Sequence, residues 1–123
     1  MKVYRVEFPH RNGGYVGPYN CHRDFDGDMS DELNDLLYEL GQAHSWWRSN
    51  RHPALHGPDG CSIAVRSMRD LFSWFGGFLP KLLRHGARIG VYEVDKAYVL
   101  EEDEYQLAYL REFAKDVTGK VGA

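Results

Sequence analysis

The sequence predicts an α+β fold: one domain with a small, twisted, mostly antiparallel sheet and two or three helices. Three observations point there. Two short segments near opposite ends, Val3-Tyr4-Arg5-Val6-Glu7 and Val91-Tyr92-Glu93-Val94-Asp95, alternate side chains with the period of a strand. Between them, leucines recur at helical spacing from Leu33 to Leu40. The 123 residues are 43% hydrophobic and 14% aromatic, enough for one packed core.

Residues 2–8 read as the first strand, with Tyr4, Val6 and Phe8 on one face and Arg5 and Glu7 on the other. Residues 9–29 are punctuated by Pro9, Asn12-Gly13-Gly14, Gly17-Pro18 and Gly27, a loop composition. Ser30 is placed to cap a helix, with Asp31 and Glu32 in the first turn, where the helix dipole favours acids. Its apolar face runs through Leu33, Leu36, Leu37 and Leu40 to Ala43 and Trp47, and Gly41 either ends it or weakens it. Residues 48–60 form a second loop, and Cys61 to Val65 a short buried strand. Ser67 and Asp70 make a near capping box ahead of the face Met68, Leu71, Phe72 and Phe75. Gly76-Gly77 breaks that helix; Pro80 opens another turn through Leu82-Leu83, and Gly86 closes it. Arg88 to Asp95 is the second of the paired strands. The tail is open: Tyr105, Leu107 and Tyr109 alternate like a strand, while Leu107, Leu110, Ala114 and Val117 fit a helix.

Charge and composition exclude several classes. A net charge of −3 argues against broad capture of nucleic acid, which needs a basic face. No apolar stretch is long enough to span a bilayer, and the first residues lack the apolar region of a signal peptide. Two cysteines, Cys21 and Cys61, are too few for a disulfide framework, so a cytoplasmic protein with free thiols is expected. There is no Gly-x-Ser-x-Gly elbow and no phosphate-cradling glycine loop.

Five groups carry candidate chemistry. Arg5 faces away from the apolar side of its strand, and its planar fork suits phosphate; it can equally be a surface Arg paired with Glu93 or Glu7. With both aromatic faces on the core, Arg5 and Glu93 project from the same side. His52 and His56, with Cys61 and Cys21 or His22, supply four potential zinc ligands but no Cys-x-x-Cys pair, so they are read as loop residues and no metal is expected. Asp24-Phe-Asp26-Gly-Asp28 alternates carboxylates like a calcium loop. Its glycine falls at the fourth place, with Asp35 at the twelfth, and a solvated lead-in to the helix fits better. Trp46-Trp47-Arg48 with Arg51 and His52 can stack bases or present one Trp to a protein partner; the acidic balance favours the partner. The run Glu101-Glu102-Asp103-Glu104 is a solvated loop or a patch for a basic partner.

The order of these pieces resembles small phage and prophage proteins of unassigned role. The motifs are Tyr4-Arg5, Gly17-Pro18-Tyr19, the Ser67-Met68-Arg69-Asp70-Leu71-Phe72-Ser73-Trp74-Phe75 helix, Val91-Tyr92-Glu93-Val94 and the late Gln106. More distantly, the plan is similar to compact ADP-ribosyltransferases. That resemblance implies NAD in a cleft between sheets. Arg5 would hold its phosphates or ribose, Tyr19 or Trp46 would stack on nicotinamide, and Ser62 or Ser67 would sit in the middle segment. Glu104 or Gln106 would act at the ribose. Glu104-Tyr105-Gln106 departs from the family's Glu-x-Glu, and Gln106 cannot supply negative charge. If the tail is a strand, Glu104 and Gln106 share a face.

The expectation is therefore a small phage or mobile-element protein, in the host cytoplasm, that binds and inhibits a host defence protein in an anti-CRISPR-like manner. It would use acidic patches and exposed aromatics and need no cofactor. The alternative is an ADP-ribosyltransferase-like enzyme that uses NAD to modify a host macromolecule.

Overall fold

The structure, a computed structural model, describes residues 1–19, 21, 25–50 and 60–119. Asp24, His22, Arg51, His52 and His56, considered above as candidates, lie outside these residues. The mixed α+β class is as expected, with two antiparallel sheets and four α-helices among the described residues.

Strand β1 (Lys2–Pro9) is the hub. It pairs with β2 (Tyr15–Val16) at its far end and, along its length, with β4 (Arg88–Glu93), whose outer edge carries β7 (Lys115–Asp116). The second sheet runs β3 (Cys61–Ala64), β6 (Leu107–Leu110), β5 (Val99–Glu102). One backbone bridge joins the two sheets: Tyr4 N–H donates to Val65 O at 2.9 Å, and Val65 N–H to Tyr4 O at 2.8 Å.

The register corrects one expectation. Arg5 lies opposite Gly90, Val3 opposite Tyr92 and Lys2 opposite Glu93. Cross-strand partners share a face, so Tyr92 stands on the side of Arg5, and Glu93 on the side of Lys2 and Tyr4. Arg5 and Glu93 do not project together. Glu93 lies 3.5 Å from the Met1 amino group instead.

Helices cover the Tyr4, Val6 and Phe8 face. Helix α1 (Asp31–Ala43) starts at Ser30, whose hydroxyl accepts the Leu33 N–H at 3.1 Å. It packs Leu33, Leu36, Leu37 and Leu40 against Val6 and Phe8. Each such burial contributes roughly 1.5–3 kcal/mol. Gly41 is buried within the helix and does not end it. The break comes at His44, and Trp47 falls on a separate short helix, α2 (Ser45–Asn50). Helix α3 (Met68–Phe75) is capped by Ser67, which accepts the Asp70 N–H at 3.0 Å, and stops at Gly76, whose φ of 51° suits glycine. Helix α4 (Phe78–Arg84) follows, with Pro80 in its first turn and Gly86 beyond its end. Leu71, Phe75, Leu79 and Leu82 complete this core.

The tail resolves as strand. β5 and β6 form a hairpin, a 3₁₀ turn at Arg111–Phe113 follows, and β7 returns to β4. Leu107, Ala108 and Tyr109 are all buried, so β6 is covered on both faces. The alternation of Leu107 and Tyr109 outweighs the helical spacing because the turn before them is anchored by a side chain. The Asp103 carboxylate accepts the Tyr105 and Gln106 N–H groups, each at 2.7 Å. Leu107 and Tyr109 pack with Val3, Ala64 and Val94 into a second core on the opposite face of β1.

Candidate functional site

Two constructions concentrate polar and aromatic chemistry. The first is a buried ion network on the face of β1 away from the helices. Alternation puts Arg5 and Glu7 together there, and the register brings Arg88 opposite Glu7. Glu7 is 1% exposed. Its carboxylate accepts Arg88 Nε at 3.0 Å and the Tyr92 hydroxyl at 2.8 and 3.0 Å. Arg5 Nε lies 3.1 Å away in an ion pair without hydrogen-bond geometry. Arg88 also donates to Asp116 at 2.8 Å and lies 3.5 Å over the Tyr15 ring. One carboxylate thus ties β1 and β4 together, and Arg88 extends the tie to β2 and β7.

Two glycines make room for it. A Cβ on Gly90 would stand 2.6–2.7 Å from the Glu7 carboxyl atoms, and one on Gly17 would stand 3.1 Å from Arg5 Nη2. The electrostatics follow the contacts. Burial alone would lower the Arg88 pKa, but hydrogen bonds to Asp116, Tyr92 and Glu7 raise it. Burial, then the charge of Glu7, raises the Tyr92 phenol. The hydrogen bond from Thr118 first, with Arg88 adding to it, lowers Asp116 to about 2.

The second construction is an aromatic corner where α2, α3 and the β5–β6 turn meet. The Trp74 indole donates to the Tyr19 hydroxyl at 2.9 Å, and that hydroxyl is 2.7 Å from His44 Nδ1. His44 Nε2 is 3.0 Å from the Trp74 carbonyl; a carbonyl only accepts, so this nitrogen carries the hydrogen. The His44 and Trp74 rings stack at 4.2 Å. Trp47 donates from its indole to Asp103 at 2.8 Å, which fastens the hairpin turn to the rings. Over this floor lie Trp46 and Tyr105, 5.1 Å apart edge to face and 6.0 and 5.7 Å from Trp74. Trp46 is 50% exposed and Tyr105 37%.

The residues singled out from sequence divide between these places and plain structural duty. Arg5 is 11% exposed and held by Glu7, the nearer of its two expected partners. Tyr19 and Trp46 meet at the corner through Trp74. Glu104 and Gln106 fall in the hairpin turn, not on a strand face: Glu104 is exposed, whereas Gln106 is buried. Ser62 accepts Arg111 Nε at 2.9 Å, and Ser67 caps α3. No hydrogen bond or ion pair among the described residues links Arg5 to Ser62, Ser67, Glu104 or Gln106. Sequence reasoning missed Glu7 and Arg88 as a pair, His44, Trp74 and Asp103. A glycine at position 90, inside an otherwise strand-forming run, was the available signal of a close approach.

Fold and surface together define a small α+β protein on two bridged antiparallel sheets, with a buried ion network and an exposed aromatic corner. The chain belongs to the Bacteriophage T4 Y00F protein family, whose model matches residues 1–120. No curated protein and no solved structure matches it. The phage resemblance read from the motifs is thereby shown at the level of a phage protein family. No helix of the described residues is long and apolar enough to cross a membrane.

Proposed function

We propose that the chain is a non-catalytic phage protein that docks on a host defence protein and inhibits it, in the manner of anti-CRISPR proteins. The observation that carries this reading is the Trp46–Tyr105 pair, two exposed rings braced against the partly buried Trp74. Tryptophan and tyrosine held rigid at a surface are the side chains that dominate protein interfaces. Family membership supplies the phage context. The test is plaquing of a defence-sensitive phage on cells that carry a CRISPR system and express the chain. Wild type restores plaquing, and Trp46→Ala loses roughly tenfold or more of that effect. Absence of restoration by wild type, or full restoration by Trp46→Ala, removes the reading.

A second reading rests on Arg5, whose Nε is buried without a hydrogen bond. In an ADP-ribosyltransferase-like enzyme this guanidinium would exchange Glu7 for an NAD phosphate. Nicotinamide release from NAD that disappears in Arg5→Ala supports it; no release by wild type ends it.

A further inference from the structure

We infer that the groove between helices α1 and α4 is a self-complementary contact, where a second copy of this chain docks across a two-fold axis. No residue of the groove belongs to the aromatic corner, so the two surfaces can be occupied independently.

Segregation of charge is the first ground. The groove, about 330 Å³ in volume, is lined by buried Leu36 and by two charged walls. Glu32, Asp35 and Glu39 follow one another along one face of α1. Opposite them stand Lys81 and Arg84 in the last turn of α4, with His85 just past its end. Helix α1 holds no Lys or Arg, and α4 holds no Asp or Glu. The mixed-sign pairs that support a merely solvated helix face are therefore missing from both. Helix dipoles account for Glu32 and for the cations ending α4, but not for Asp35 and Glu39, which lie beyond the first turn.

The second ground is that these charges are unspent. Glu32, Asp35, Glu39, Lys81 and Arg84 are exposed, and His85 is half-buried. Among the described residues no side-chain hydrogen bond or ion pair uses any of the six, so the walls stay beyond ion-pair distance of each other.

Symmetry names the occupant. A two-fold axis running along the groove lays each acidic wall on the basic wall of the other copy, and does so twice. An axis across the groove would lay acid on acid, so the pattern selects one arrangement. A different molecule would need both stripes at matching spacing, whereas a second copy has them by construction. Nucleic acid would set its phosphates against the acidic wall. The net charge of −3 repels a second copy, but at physiological salt that repulsion is screened beyond about 8 Å, and the facing walls decide. Exposed ion pairs are individually weak, so the dimer is weak and salt-sensitive.

The test is sedimentation equilibrium of the full chain over a range of concentrations. Wild type is expected to show a monomer–dimer equilibrium whose Kd rises roughly tenfold or more between about 0.02 M and about 0.5 M salt. Asp35→Lys with Glu39→Lys makes both walls mainly basic; Lys81→Glu with Arg84→Glu makes both mainly acidic. Each reversal enters the contact twice by symmetry, so each double variant alone should lose about tenfold or more in dimer affinity. Mixed in equal amounts, the two should pair at least as tightly as wild type. All four positions are exposed, and the single exchanges Glu39→Lys and Lys81→Glu repeat the test should a double variant unfold. Wild type still monomeric at about 1 mM and low salt overturns the inference and leaves the groove to another molecule. So does a dimer indifferent to both reversals, a mixture that fails to pair, or growth beyond the dimer. Self-association that Trp46→Ala abolishes overturns it as well, because the contact then lies at the aromatic corner.

Discussion

Glu7→Gln isolates the ion network. The carboxylate is 1% exposed and faces Arg5 at 3.1 Å, Arg88 at 3.0 Å and the Tyr92 hydroxyl at 2.8 Å. Glutamine keeps the shape but offers one acceptor and an NH2 group to three converging donors. Two guanidinium groups, 11% and 28% exposed, lose their shared counter-charge. Breaking a buried pair from one side costs about 3–5 kcal/mol, or roughly 10–20 °C in Tm for a domain of this size. Urea and thermal unfolding of both proteins measure it. A control separates charge from packing. Replacing the set together, Glu7→Leu with Arg5→Met and Arg88→Met, should be near neutral, because apolar replacement of a whole buried ion cluster removes the desolvation cost along with the attraction. A loss under about 0.5 kcal/mol for Glu7→Gln alone would refute the reasoning, since solvent must then reach that carboxylate.

Three further outcomes follow from the same geometry. Gly90→Ala should destabilise by about 1–3 kcal/mol through overpacking on the pinned carboxylate, and much of that loss should vanish in a Glu7→Ala background, read by a double-mutant cycle. Stability should fall at both pH extremes in unfolding titrations. Asp116 is lowered to about 2, so its contribution is present above the ordinary carboxylate range and is lost as pH falls towards 2; its 47% exposure limits this to about 1 kcal/mol or less. Tyr92 is raised, so its contribution is intact below the ordinary phenol value of about 10 and is lost as pH rises beyond it. Asp103→Ala removes the acceptor of the Trp47 indole and of two turn N–H groups, and hydrogen exchange should accelerate in residues 99–110 before the rest of the chain.

Much of the scaffold was legible because its signals are local. Ser30 and Ser67 announce their helices by the hydroxyl each offers to a backbone N–H three residues on, and Gly76 stops the second helix by its backbone alone. Alternation placed Arg5 and Glu7 on one face. Register was not legible, because nothing within either strand says that Arg5 meets Gly90, and this is what turned Glu93 away. The tail stayed open because its spacing serves both periods, and the deciding bonds run from Asp103 to backbone groups that a pattern does not display. The corner was visible only as fragments. Tyr19, His44, Trp74 and Tyr105 come from four distant segments; Tyr19, the Trp46-Trp47 pair and the acidic run were each singled out, but nothing in the sequence joined them into one place.

The floor beneath that corner has an evolutionary consequence. Tyr19, His44 and Trp74 bond to one another, and Trp74 meets Trp46 by ring contact. The outermost rings can therefore be exchanged while the layer below keeps its shape. On the docking reading proposed above, a chain built this way could be retargeted by a few outer substitutions.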